Sequence, residues 1–320
     1  MSPDPVTVIL CVYNGATHLD ETIRSVRAQT YAAWQLLIVD DGSTDASADI
    51  ALQHAAQDDR IQLVRQQNAG VRAARNLALR TARTRWVALI DHDDLYLPTK
   101  LETQMTYLAA HPHLAALGTH GYRIGQRGRR LGYFDVGPRD EAHSRALVAA
   151  HSIIYLLAAS VVFDRELALR VGGFPALQTA DDIGLWSRMA DHAPVVALPE
   201  RLVAYRVHAG SLSGRKLSLQ RLEADYIRHG NAQRHAGQPE QTFGAFMQAW
   251  DAQPPAVRRA FERESASLSA YRTAGGLLAD RHPAGLLWLA RSVLLSPRAR
   301  LERVVRQLGL RDLWRRRAVP

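Results

Sequence analysis

Between Arg85 and Pro98 the chain reads RWVALIDHDDLYLP, an apolar run ending in three carboxylates within four positions, Asp91, Asp93 and Asp94. Like charges this close repel, and each loses hydration if buried, so the cluster is costly unless something neutralises it. A hard divalent cation does so, because it takes oxygen ligands and keeps waters or phosphate oxygens in its shell. Asp91 and Asp93, one residue apart at a strand end, suit a metal that also bridges a diphosphate and neutralises charge on a departing phosphate. The same acids suit a solvated turn capping the helix after Pro98. The buried strand before them shifts the balance toward a site.

Three further clusters carry chemistry. In VDDGSTD, Gly42 and Ser43 suit a tight strand-to-helix turn, Asp41 is an acceptor for a base or ribose, and Asp40 orders the loop. Ser43, Thr44 or Asp45 is available as an N-cap for the helix that follows. In CVYNG, Tyr13 can stack on a nucleobase or serve structurally. In QNAGVRAARN, Arg72, Arg75 and Asn76 lie near a helix start, where backbone N–H groups and positive charge suit an anionic ligand; a solvated basic face is the alternative.

The elements that must position these residues alternate strand and helix. VTVILCVY, WQLLIVD, IQLVRQ and RWVALID read as buried strands, with HLDETIRSVRAQT, DGSTDASADIALQHAA and GVRAARNLALRTA as the helical segments between them. Repeated strand–helix units imply a mostly parallel sheet covered on both faces, with ligands beyond the carboxyl ends of the strands. Tyr13, Asp40, Asp41 and Asp91 all fall on that edge. After Pro98, taken as a first-turn proline, LETQMTYLAAH reads as a helix, LAALGTHGYRIG and RRLGYFDV as a hairpin, DDIGLWSRMADH as a helix, and VVALPERLVAYRVH as extended.

The composition, 47% hydrophobic and 22% charged, allows a large core. A lone cysteine, Cys11, excludes an internal disulfide framework and fits a reducing compartment. No signal peptide and no membrane-spanning segment are expected. The formal charge is +9, and residues 291–320 hold nine arginines against Glu302 and Asp312, a net of +7. Such a tail suits nucleic acid or an anionic membrane surface; no nucleic acid is expected, because aromatic or glycine-patterned binding modules are missing.

Taken in order, VTVILCVYNG, SVRAQTYAAWQLLIVDDGSTD, NAGVRAARN, ALIDHDDLYLP, ASVVFDRELALRVGGF, DDIGLWSRMA and YRVHAGSLS resemble a family 2 glycosyltransferase over about the first two thirds of the chain. The resemblance implies an α/β fold of the GT-A type, a Rossmann-like mixed sheet with flanking helices. It also implies a nucleotide-diphosphate-sugar donor (UDP-sugar favoured), Mg²⁺ or Mn²⁺, and inversion at the anomeric carbon. Tyr13 and Asp41 match its base-contacting positions, Asp40 the first acid of that motif, and Arg72 or Arg75 the segment approaching the nucleotide. Asp91 matches a ribose or metal contact, Asp93 a metal ligand, and Asp94 a frequent additional acid. Asp182 matches the catalytic base. Asp181 stands where the family usually has Glu and is expected on the acceptor. His208 is expected at the metal or diphosphate and Arg206 at the diphosphate, with Gly172 and Gly173 in the acceptor-side floor and Trp186 in the core.

Residues 1–214 are the expected catalytic domain, divided at 97/98 into donor and acceptor halves, and 215–320 a basic helical region. The expected acceptor is a saccharide or lipid-linked saccharide in cell-surface polysaccharide synthesis. The expected location is the cytoplasm, with the tail either lying on the inner face of the cell membrane or packing on the catalytic domain. The other classes weighed are a catalytically silent nucleotide-sugar binder of the same fold and a basic nucleic-acid-binding protein.

Overall fold

The apolar runs of the first hundred residues are strands β1 (Val6–Val12), β2 (Trp34–Asp40), β3 (Ile61–Arg65) and β4 (Trp86–Asp91), paired in parallel in the order β3-β2-β1-β4. This is a computed structural model, and it describes residues 4–207, 216–279 and 282–297. Successive side chains of a strand point to opposite faces, and here both faces are buried. Val6, Val8, Leu10 and Val12 enter one core, whereas Ile9 enters another. The first core receives Leu19, Ile23 and Val26 of α1 (Ala16–Arg27) and Ala51 of α2 (Ser47–Ala55). The second receives Ala74, Ala78 and Leu79 of α3 (Val71–Thr81).

Beyond the short β5 (Leu95–Tyr96), α4 (Lys100–Ala110) packs Leu101, Met105 and Leu108 into the first core. Its start corrects the sequence reading: the helix begins at Lys100, two residues after Pro98. The Pro98 carbonyl instead accepts the Thr30 N–H at 2.9 Å, fastening the loop after α1.

The expected hairpin is present as β6 (Ala116–Ile124) and β7 (Arg130–Phe134). Then follow α5 (Glu141–Ala149), β8 (Val162–Asp164), α6 (Arg165–Arg170), α7 (Asp181–Ala190) and β9 (Val195–Arg206). The sheet becomes mixed here. β8 is antiparallel to both β4 and β6, β9 is parallel to β6, and the full order is β3-β2-β1-β4-β8-β6-β9-β5 with β7 also on β6. Trp186 is fully buried, edge-on to Phe163 at 5.0 Å, as a core residue.

The described residues after β9 are mainly helical: α8 (Leu217–His235), α9 (Phe243–Asp251), α10 (Pro255–Ala279) and α11 (Ala284–Leu295). Two compact units result, residues 1–206 with 223–241 and residues 207–222 with 242–320. The first therefore takes in most of α8, so the units do not divide at a single cut near residue 214. In the second unit α10 and α11 pack closely, with Ser267 and Ser292 exchanging hydroxyl-to-carbonyl bonds of 2.7 and 2.8 Å.

Candidate active site

The register of β1 with its neighbours explains why separate acids meet. Cys11 lies opposite Asp91 on one side, and Val12 lies opposite Asp40 on the other, so both acids leave the same carboxyl edge. Tyr13 follows β1 on that edge and is 49% exposed, open for stacking. Burial pushes the Cys11 thiol up to about 12, which disfavours its thiolate.

Side chains of the 40–47 loop brace the turn after β1. The N–H groups of Asn14, Gly15 and Ala16 donate to Ser43 Oγ, Ser47 Oγ and Asp45 Oδ2 at 2.9–3.0 Å. Asn14 has φ +51°, and its Oδ1 accepts the Thr44 N–H at 2.8 Å. Ser43 and Thr44 thus serve this cross-brace and do not cap α2, while Asp45 also accepts the Ser47 N–H at 3.0 Å.

Asp40, fully buried, accepts from Ser43 N and Arg65 Nε at 3.0 Å each, as a loop-ordering acid should. Asp41 accepts from Gln66 Nε2, Ala69 N and Gly70 N at 2.6–2.9 Å. Asp41 thus takes the N–H groups just ahead of α3 and, with three acceptor sites engaged, keeps about one lone-pair site. Gly42, at φ +76°, permits this approach, since a Cβ there would lie 2.8 Å from the Asn68 nitrogen.

Arg75 joins the two halves of the site. From the inner face of α3 its Nη2 donates to Asp91 Oδ1 at 2.7 Å, while Nη1 donates to Asp181 at 3.0 and 3.1 Å. Arg75 is 6% exposed and Asp181 3%. Burial opposes the charge on Arg75, but Asp181 and Asp91 hold its pKa well above the ordinary arginine value. Arg72, the other candidate on this helix, is exposed. Asp182 follows Asp181 at the start of α7. Loss of hydration, then the adjacent Asp181, pushes its carboxyl up to about 7, with Arg75 pulling the other way. A carboxyl poised there can take a proton near neutral pH.

The 91–94 turn is pinned from below. Asp94 is buried, accepts the Arg206 N–H at 2.8 Å, and is held well above the usual carboxylate range by burial first and then by Asp93 and Asp91. The Arg206 guanidinium donates to Asp93 O at 2.8 Å, to Gln126 O at 2.9 Å and to Glu21 Oε2 at 2.7 Å. This corrects the expectation that Arg206 reaches a diphosphate: with 1% exposure and its nitrogens committed, it is a strut beneath the turn.

Asp91, with its side chain 34% exposed, and the half-buried Asp93 remain on the open side of the turn. Among the described residues no three of His, Cys, Asp and Glu gather tightly enough to hold a metal alone. The oxygen-only pair Asp91 and Asp93 nevertheless fits a hard divalent ion that draws its remaining ligands from phosphate and water. His208 lies outside the described residues.

Two positioning features escaped the sequence reading. The Asn76 side chain holds both backbone groups of Phe174, accepting its N–H and donating to its carbonyl at 2.9 Å. Gly173 precedes it at φ +70°, where a Cβ would lie 2.4 Å from Asn76 Oδ1. Glu223 of α8, fully buried, accepts from Gln178 N, Thr179 N and Thr179 Oγ1 at 2.6–2.8 Å, just ahead of Asp181. A glutamate inside a polar helical pattern carries no local signal of such a role.

Residues 7–166 match the model of glycosyl transferase family 2. A Bacillus subtilis (strain 168) chain named for teichuronic acid biosynthesis, the glycosyltransferase TuaG, is 33% identical over 214 residues, covering 66% of this chain and 82% of that one. An uncharacterized glycosyltransferase of Rickettsia typhi, RT0329, is 31% identical over 231 residues, covering 68% and 69%. Among solved structures, the mannosyltransferase PcManGT from Pyrobaculum calidifontis, in complex with GDP-Man and Mn²⁺, aligns at TM-score 0.56 and 21% identity over 98% of this chain and 84% of its own. S. aureus TarS 1–349 in complex with UDP-GlcNAc aligns at TM-score 0.53 and 16% identity over 95% and 92%. At these identities the structural likeness is one of fold. The family match and the TuaG relationship, on a sheet edge that gathers acids from separate loops, make this chain a member of glycosyl transferase family 2.

Proposed function

We propose that the chain transfers a sugar, with inversion, from a nucleotide-diphosphate-sugar to a saccharide or lipid-linked saccharide acceptor in cell-surface polysaccharide synthesis. One observation carries the reading: a single buried guanidinium, Arg75, holds both Asp91 on the donor edge and Asp181 at the start of α7. The neighbouring Asp182 is thereby kept within reach of a sugar seated over the 91–94 turn. Tyr13 stacks on the base, Asp41 offers its remaining lone pair to it, and Asp91 and Asp93 face the diphosphate. A bound Mg²⁺ or Mn²⁺ would be held by these two acids and would neutralise charge developing on the leaving phosphate. Asp182 accepts the proton of the acceptor hydroxyl; that oxygen bonds the anomeric carbon as the bond to phosphate breaks, and the nucleoside diphosphate departs. One displacement inverts the centre and needs no second carboxylate. A UDP-sugar is the favoured donor, as in the TarS complex, and the GDP-sugar of PcManGT is the comparison.

Thermal unfolding with each nucleotide sugar, with and without Mn²⁺, tests donor binding, since a ligand of the folded state raises apparent stability. Asp93→Ala should lose the Mn²⁺-dependent shift. Asp182→Asn should keep it and lose donor turnover. If no nucleotide sugar shifts the wild-type protein with Mn²⁺ present, the reading fails.

A further inference from the structure

Helix α11 carries an apolar face that its own unit leaves open. One side packs on α10: Gly285 and Ser292 are buried, and a Cβ at Gly285 would lie 2.6 Å from the Leu278 side chain. The opposite side exposes Leu286 at 62%, Leu287 at 74% and Leu294 at 81%, together with Ala290 and Arg291. At 100° per residue these five fall within an arc of about 140°, a continuous stripe. Three leucines aligned in water are a contiguous apolar patch, which marks an interaction surface more often than scattered exposed leucines do.

We infer that this face docks α11 flat on an anionic lipid bilayer. Charge decides the occupant. The helix has no acidic residue, Arg291 lies on the exposed stripe, and residues 291–320 carry a net +7. A second copy meeting this face across a two-fold axis would set one acid-free helix bearing Arg291 against another, with no acid on either to pair the charge. A surface of anionic headgroups attracts the same charge while its acyl boundary accepts the leucines. The length agrees: twelve residues span about 18 Å, too short to cross a hydrocarbon core of about 30 Å, and no described helix is long and apolar enough to cross. The inference stands apart from sugar transfer, because its assay contains no nucleotide sugar and either can fail alone.

The test is co-sedimentation of the full chain with phosphatidylglycerol/phosphatidylcholine vesicles and with phosphatidylcholine vesicles, at rising salt, alongside the triple variant Leu286→Ser, Leu287→Ser, Leu294→Ser. Wild type should pellet with the anionic vesicles, less so as salt rises. The triple variant should bind about tenfold or more weakly, with unchanged thermal unfolding and unchanged mass in solution. Arg291→Gln should weaken binding to a lesser degree and sharpen the comparison, since it leaves the leucines in place. The inference is overturned if wild type ignores anionic vesicles or the triple variant binds as well. It is overturned equally if the triple variant unfolds earlier, meaning this chain's own residues cover the leucines, or turns a wild-type dimer into a monomer.

Discussion

Arg75 shows how much one side chain can commit. Removing its guanidinium leaves Asp181 as a buried charge without its partner, the situation that costs most in ion-pair deletions. Arg75→Ala should lower unfolding free energy by about 3–5 kcal/mol in urea titrations. Arg75→Lys should recover only part, because a single ammonium cannot span Asp91 and Asp181 as a planar fork does. Asp182 yields a pH prediction. Its folded-state pKa of about 7 lies above the ordinary aspartate value, so the native state holds a proton that the unfolded chain has released. This carboxyl therefore makes stability fall as pH rises from about 4 to about 7. Proton acceptance needs the ionised form, so kcat/KM for transfer should climb through about pH 7. A flat profile between pH 6 and 8 would remove Asp182 from the role of base.

At the scale of elements, loops are held by side chains from other loops. The 14–16 turn hangs on Ser43, Asp45 and Ser47, and the segment before α7 hangs on Glu223. Glu223→Gln should strand buried backbone N–H donors, because an amide has one acceptor oxygen and turns N–H groups on the others. A loss of about 1–3 kcal/mol follows. If the segment positions α7, kcat should fall while the donor-induced thermal shift persists. A variant that loses stability with kcat intact would make Glu223 purely structural. Gly173→Ala should cost about 1–2 kcal/mol from its left-handed backbone alone, and more from crowding Asn76. Thermal unfolding of both single variants and of Gly173→Ala with Asn76→Ala separates the two contributions: on the Asn76→Ala background, already without its bonds to Phe174, Gly173→Ala should cost the backbone part only.

For the whole molecule, the first unit includes residues 223–241, so truncating the chain near residue 214 should damage the site and not merely remove a tail. Deleting residues 215–320 should abolish the donor-induced shift, because residues 223–241 belong to the first unit and it cannot complete its fold without them. A truncated chain that folds and binds donor normally would contradict this. The alternation of apolar strands and amphipathic helices made the α/β order legible, since a parallel sheet buried on both faces demands uninterrupted apolar runs. Asp91 and Asp93 stood out as clustered acids after a buried strand, whereas the Asp181–Asp182 pair was singled out by its match to the family motif, since two acids at a helix start are common for other reasons. Local pattern cannot report partners far along the chain. That Arg75 serves two acids, 16 and 106 positions away, that Arg206 is consumed beneath the 91–94 turn, and that Glu223 braces the acceptor-side loop were decided by tertiary packing alone. The physical reason is the same in each case. A buried charge or N–H must be paired, and which group pairs it depends on what folding brings alongside.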